Sequence, residues 1–266
     1  MKLKWKSMRN KKNGFTLTEV LMTISILGVI AMAVLPVVIQ NFQKSQIESK
    51  FRMAYSILSR AIELSEVYTG PSATWSYGSN VANEAQAKSF AETYLIPNLN
   101  VLYICNTSGT KKCFAGKGDG KEDGWYDSAG KFASYDSYGR KDAYAFRMKN
   151  GMSIAVNSID SESAVIKFTV DIDGPTKGKS IMGRDVFLFT LGAINPDTGS
   201  RLGLIPGITN GSGQPIDDLP CKGAENGSDS NGYCGTTHGC GCAVSIVHND
   251  YKLPYKITEI ATTYKE

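Results

Sequence analysis

The chain has 266 residues, 29 of them basic and 25 acidic, so its length allows one sizeable domain beyond any targeting segment. Six of the basic residues lie within residues 1–14, and the remaining 23 are balanced by the 25 acidic residues to a net charge of −2. Because phosphate-backbone binding needs an excess of positive charge, this composition argues against a dedicated nucleic-acid binder, and we predict no nucleic-acid partner.

A basic leader precedes a long apolar run. The leader, residues 1–14, has no acidic residue, which predicts that it stays cytoplasmic and that the chain after Ile39 is exported. The run from Phe15 to Ile39 is long enough to span a bilayer as a helix and has one charge, Glu19. A secretory signal would have a shorter apolar region followed by an A-x-A-like cleavage site, and no such site follows here. We therefore expect a membrane helix.

Glu19 is a candidate functional residue, because a charge within a membrane segment costs about 2.5–3.5 kcal/mol on insertion scales. It lies in the sequence G-F-T-L-T-E at residues 14–19. These residues resemble the prepilin peptidase signature of type IV pilins and type II secretion pseudopilins, and the resemblance extends from Lys11 to about Ser65. It implies cleavage between Gly14 and Phe15 and methylation of the new N-terminal Phe15. It also implies that Glu19 pairs with the N-terminal amine of a neighbouring subunit and sets the register of assembly.

Two residues weaken the apolar helix. Pro36 cannot donate a hydrogen bond to the carbonyl of Met32, and Gly28 has no side chain to support the turn. Membrane helices tolerate such residues, so a tolerated kink is one interpretation. The resemblance suggests another, in which the stretch from about Gly28 to Pro36 loosens when subunits leave the membrane and enter a filament.

The resemblance implies an α+β fold in which a long N-terminal helix packs on a C-terminal antiparallel β-sheet domain with disulfide-clipped loops. Residues 1–14 would form the leader, 15–39 the transmembrane or filament-core helix, and 40–266 the exported pilin-like domain. Apolar residues at helical spacing predict that the helix continues to about Tyr68 and stops at Gly70 and Pro71. They form one stripe: Ile47, Phe51, Ala54, Tyr55, Leu58, Ala61, Ile62 and Ser65.

Shorter elements follow the long helix. The pattern predicts a long surface excursion from Lys111 to Arg140. It also predicts a hairpin around the turn Lys149–Gly151, with Tyr144, Phe146 and Met148 on one arm. The remaining elements are a helix at Asn83–Leu95 ended by Pro97, strands at Ala164–Asp171 and Asp185–Leu191, and a helical segment near Cys242–Asn249.

Six cysteines lie outside the apolar run, which in an exported chain predicts disulfides. They are Cys105, Cys113, Cys221, Cys234, Cys240 and Cys242. Cys105 and Cys113 are close enough to clip the loop between them. Three connectivities are possible for the other four, and the tight Cys240–Cys242 ring is disfavoured. The alternative is a zinc site that includes His238, although the spacing fits no common finger. We predict no metal site.

The segment Val170–Arg184 partly resembles a calcium loop. Asp171, Asp173 and Gly174 match its first half, but Pro175 occupies the next ligand position and Met182 replaces the closing glutamate. An Asp-Gly-Pro turn between strands is the simpler interpretation. We therefore predict no cofactor, while the resemblance keeps calcium open, since major pseudopilins often bind it.

No motif marks an active site. The two histidines, His238 and His248, lie in the tail without a nucleophile motif, and no P-loop or G-x-G-x-x-G follows a strand. We therefore predict a structural subunit, a pseudopilin or minor pilin of a type II secretion or type IV pilus-like filament, with no enzymatic activity. The alternative is a membrane-anchored exported enzyme or binding domain that uses a pilin-like anchor.

The resemblance also implies partners and a location. The partners would be other pilin-like subunits, prepilin peptidase, the inner-membrane assembly platform and the membrane itself. The chain would cross the bacterial inner (cytoplasmic) membrane once, with its C-terminal domain in the periplasm or outside the cell. Its size and the excursion from Lys111 to Arg140 favour a secretion-type or minor subunit, while the machine and its cargo stay open.

Overall fold

The computed structural model describes most of the chain after the leader. The described residues are 14–77, 84–105, 112–115, 124–126, 132–134, 143–159, 165–176, 178–210, 212–216, 221, 239–255, 257 and 260. By its internal contacts the chain forms two compact units, residues 1–43 and 44–266.

The first element is a single long helix, α1, from Leu17 to Thr69. It begins two residues after the predicted start at Phe15, and Gly70, which follows its last residue, donates its N–H to the Glu66 carbonyl at 3.0 Å. Among the described residues it is the one helix long and apolar enough to cross a membrane, judged by length and composition. The predicted stripe is confirmed, since all its members are buried except the half-buried Tyr55.

Six strands form one antiparallel sheet, and two more form a small antiparallel ribbon. In chain order the strands are β1 (Val101–Ile104), β2 (Gly124–Tyr126), β3 (Phe132–Ser134), β4 (Ala143–Met148), β5 (Ser153–Ile159), β6 (Val165–Asp171), β7 (Val186–Leu191) and β8 (Ile205–Pro206). The sheet order is β1-β4-β5-β6-β7-β8, and β2 pairs with β3. The predicted α+β class is therefore confirmed.

The main core lies between the C-terminal part of α1 and one face of the sheet. Alternate residues of β4 to β7 point into it, as the period of two requires. Phe51 of α1 is fully buried, with its ring centroid 4.9 Å from Phe187 and 5.6 Å from Phe189. Burying a side chain of this size contributes roughly 1.5–3 kcal/mol, so this contact anchors the helix to the sheet.

The opposite face of the sheet is also covered. Ala143, Ala145 and Ala155 on that face share a second core with the buried Phe114 and Trp125. The rings of Phe114 and Trp125 lie 5.1 Å apart. The prediction of a surface excursion is wrong for these described parts of Lys111–Arg140, because their aromatic side chains cover the sheet; the rest of the excursion lies outside the described residues.

Two further helices flank the sheet. The predicted Asn83–Leu95 helix is α2 (Glu84–Phe90) continued by a π-helical turn over Ala91–Leu95, and Asn83 itself lies outside the described residues. A short 3₁₀ turn over Ile96–Asn98 includes Pro97. The predicted tail helix is α3 (Cys242–His248).

Disulfides close two of the loops. Cys105 pairs with Cys113, as the sequence predicts, and Cys221 pairs with Cys242, one of the pairings left open. Cys240 is also disulfide-bonded, and Cys234 lies outside the described residues. Gly183, at φ +82°, lies against the Cys221–Cys242 bridge, where an added Cβ would come within 2.5 Å of the Cys242 Sγ. This turn therefore needs glycine.

Candidate functional site

The first turn of α1 is closed by a reciprocal pair between Thr16 and Glu19. The Thr16 N–H and hydroxyl donate to Glu19 Oε2 at 2.8 and 2.9 Å, and the Glu19 N–H donates to Thr16 Oγ1 at 3.3 Å. This is a capping box, which satisfies two N–H groups that a helix start otherwise leaves unpaired. The T-x-x-E spacing is a known signal for such a box, and it is the feature of the sequence from which the role of Thr16 could have been predicted.

Only one carboxylate oxygen of Glu19 takes part in this pair. In the part of the chain that the structure describes, no hydrogen bond reaches Oε1. The capping box therefore holds the carboxylate in a fixed orientation while leaving half of its acceptor capacity for another group.

The apolar side chains that follow Glu19 are exposed. Phe15 is 87 % exposed and Met32 80 %, and within residues 14–43 no described side chain is buried. A helix that is apolar all round needs lipid or other helices around it. The arrangement suits a segment that lies in a membrane or within a bundle of like helices.

Gly28 and Pro36 both lie inside α1, which is helical without interruption across them. An added Cβ at Gly28 would meet no atom within 4 Å, so close packing within the chain does not require glycine there. The loosening of this stretch during assembly stays a prediction.

A buried polar network occupies the end of β6. Asp171 Oδ1 accepts from the N–H groups of Asp173 and Gly174 at 3.0 and 2.7 Å, and Oδ2 accepts from the Ser180 hydroxyl. The Ser180 Oγ also accepts from the Ala115 N–H at 3.1 Å, which ties the Cys105–Cys113 loop to the sheet. This is the predicted turn, and its Asp side chain bonds the backbone two and three residues on.

Charged neighbours surround this turn. Asp173 forms an ion pair with Lys50 of α1, and Asp185 accepts from the Arg184 guanidinium. Complete burial and the nearby Asp185 carboxylate raise the pKa of Asp171 to about 7. Burial likewise raises the pKa of Asp185, although the Arg184 guanidinium opposes this.

These carboxylates already have protein donors. The described residues contain no group of three or more His, Cys, Asp or Glu side chains that could hold a metal ion. Gly174, at φ +66°, must be glycine, since an added Cβ would lie 2.3 Å from the Gly151 carbonyl oxygen. The segment is therefore organised by internal hydrogen bonds, and calcium binding there stays an open alternative.

The tail brings no catalytic group together among the described residues. Cys240 and Cys242 are both in disulfides, so neither offers a thiolate to zinc. His248 is the last residue of α3, and His238 lies outside the described residues. The disulfide interpretation of these two cysteines is thus the one that the structure supports.

Residues 9–35 match the family described as the prokaryotic N-terminal methylation motif. The chain carries the N-terminal signature of type IV pilins and pseudopilins. The match includes Gly14, Phe15, Thr16, Glu19 and Gly28, and it stops one residue before Pro36. No curated protein and no solved structure matches the chain. Together with the exposed apolar helix, the motif indicates a membrane-anchored, pilin-like precursor.

Proposed function

We propose that the mature chain is a structural subunit, a pseudopilin or minor pilin, of a type II secretion or type IV pilus-like filament. Prepilin peptidase would cut between Gly14 and Phe15, and Phe15 would then be methylated. The observation that carries the proposal is the methylation motif at residues 9–35, which lies on an exposed apolar helix.

The geometry of Glu19 supports assembly through the N-terminus. Oε1 has no described donor, and cleavage at Gly14 would create a positive amine on Phe15 only four residues away in sequence. In a bundle of apolar helices, the amine of a neighbouring copy is the donor that would neutralise Glu19. Such a buried pair sets the register between neighbouring helices. Any other alignment separates the two groups and leaves an uncompensated buried charge.

The proposal includes a location and partners. The basic leader keeps the N-terminus cytoplasmic before cleavage, so α1 would cross the inner membrane and residues 44–266 would fold outside the cytoplasm. The disulfides agree with an oxidising compartment. The partners are other pilin-like subunits, prepilin peptidase and an inner-membrane assembly platform.

A structural role is favoured over an enzyme. The N-terminal methylation motif is that of a structural family. Two described grooves lie along α1, and both are lined without a histidine or a cysteine. We therefore propose that the exported domain acts by packing against other subunits.

Oxidative cross-linking tests the proposal. Ser45 and Ser56 are exposed on α1 beyond the apolar run, so a full-length chain with both Ser45→Cys and Ser56→Cys has two free thiols per subunit and should give a ladder of disulfide-linked oligomers in a filament-forming strain. The same substitutions combined with Gly14→Leu, which keeps the leader, should give no ladder. A single monomeric species from the processed double-cysteine chain would favour an anchored exported domain and contradict the proposal.

A further inference from the structure

The outer face of α1 in the second unit carries two grooves separated by a ridge. Arg60 and Leu64 form the ridge, since they line both grooves. The first groove, of about 790 Å³, is lined by Tyr55, Ser56, Ser59, Arg60, Glu63, Leu64 and Val67. The second, of about 730 Å³, runs from Met53 and Ile57 to residues 98–100 and 148–150.

The charges on these grooves are unused within one copy. Glu63 in the first groove is exposed, as are Arg60 on the ridge and Lys149 on the turn between β4 and β5. Among the described residues, no ion pair or side-chain hydrogen bond involves any of the three. By contrast, the partly buried Lys50 is paired with Asp173.

Exposed apolar side chains lie beside these charges. Val67 is 76 % exposed and Tyr68 81 %, each four residues after a member of the first groove or the ridge. Met53, in the second groove, is 50 % exposed. Val67 and Tyr68 are adjacent, so burying them in a contact between copies would remove apolar surface from water.

The positions of these charges determine whether pairing them between copies gives a closed dimer or a repeating assembly. Glu63 and Arg60 lie on the same helix face, so pairing them between two copies would bring two identical faces together and close as a dimer. Glu63 and Lys149 lie on the two neighbouring grooves, Glu63 on α1 and Lys149 on the β4–β5 turn. A head-to-tail contact between them leaves one Glu63 and one Lys149 open at the two ends of an assembly, so it can repeat along a filament.

We propose that Lys149 of one copy pairs with Glu63 of the next, with the β4–β5 turn entering the first groove of α1. This inference rests on the proposed function, and it names the contact between exported domains. The pair is exposed, so its role is to select register and partner, and the burial of Val67 and Tyr68 supplies the attraction.

Charge reversal in the full-length chain tests this contact. Lys149→Glu and Glu63→Lys should each lower the yield of sheared filament by about tenfold, since each places like charges together. The double variant should recover most of the wild-type yield. Lys252→Glu, an exposed reversal outside both grooves, should behave like the wild type.

Cysteine pairing gives a second, direct readout. A chain with both Lys149→Cys and Glu63→Cys should form disulfide-linked ladders on mild oxidation, and neither single variant should. Wild-type filaments together with normal assembly of both charge reversals would overturn the inference and leave the proposed function intact. The inference would also be overturned if Glu63→Lys restored assembly to the Arg60→Glu variant and the product were a dimer only. Absence of filaments in the wild type would contradict the proposed function itself.

Discussion

Thr16 and Glu19 hold each other at the first turn of α1. The Thr16 hydroxyl lies 2.9 Å from Glu19 Oε2 and also accepts from the Glu19 N–H at 3.3 Å. One hydroxyl thus starts the helix and orients the carboxylate on which the proposed assembly depends. Thr16 and Glu19 act as a unit, and each can be changed separately.

Replacing Thr16 with Val keeps the shape of the side chain and removes the hydroxyl. Loss of the cap should weaken the first turn by about 1 kcal/mol, which lowers amide protection at Glu19 by about fivefold. Hydrogen exchange on the full-length protein in detergent measures this, with Thr16→Ser as the control that keeps the hydroxyl. Equal protection in wild type and Thr16→Val would show that the capping box does not hold the turn.

The raised pKa of Asp171 predicts a dependence of stability on pH. An acid whose pKa rises on folding stabilises the fold fully below its unfolded value of 3.8, and this contribution is lost as pH rises through about 7. The loss is at most about 4 kcal/mol. Burial also raises the pKa of Asp185, which acts in the same direction.

Asp171→Asn separates this contribution from the others. Its side-chain oxygen can still accept from the Asp173 and Gly174 N–H groups, while its NH₂ group faces Ser180 and carries no charge. The free energy of unfolding in urea, measured at pH 4.5, 6 and 7.5, should shift in favour of the variant as pH rises. A difference between variant and wild type that is independent of pH would contradict the raised pKa.

The disulfides should be structural. Mass spectrometry without reductant should find all six cysteines blocked, and loss of one bridge should cost about 2–5 kcal/mol. Replacing Cys221 and Cys242 together with Ala should cost more than replacing Cys105 and Cys113, because the closed loop is longer, 21 residues against 8. Free thiols at Cys240 and Cys242 in the oxidised protein, protected only by zinc, would contradict this account.

Much of the fold follows from local patterns in the sequence. The stripe from Ile47 to Ser65 and the alternation around Lys149–Gly151 predict α1 and the hairpin of β4 and β5, because one face of each packs on the core. β8 was missed, since it has two residues, one of them Pro206. β2 was missed because its three residues lie in a polar, glycine-rich segment, and their burial depends on long-range contacts.

The candidate site likewise has features that the sequence predicts and features that it does not. Gly14, Phe15 and Glu19 follow from a contiguous motif, which residues 9–35 match. The link from Asp171 through Ser180 to Ala115 could not be predicted, because it joins residues 9 and 65 positions apart in sequence. The pairing of Cys221 with Cys242 was one of several possibilities, because spacing alone does not determine connectivity.

Processing at Gly14 should depend on the size of that residue. Gly14→Leu places a side chain at the cut, so the chain should keep its leader, and its intact mass should exceed that of the mature wild type by the mass of the leader. The wild-type N-terminus should be methylated Phe15. A wild-type N-terminus downstream of the apolar run would contradict the assignment.

The central claim is that Glu19 supports assembly through its charge. Glu19→Gln keeps the size of the side chain and one acceptor oxygen, so cleavage and membrane insertion should proceed as in the wild type. An incoming amine would then enter an apolar bundle without a counter-charge, and breaking one side of a buried pair costs about 3–5 kcal/mol. The measurement is the ratio of sheared filament to cleaved membrane-bound subunit in a strain whose only copy is Glu19→Gln. We predict cleaved monomer and almost no filament, and normal incorporation of the variant would contradict the claim.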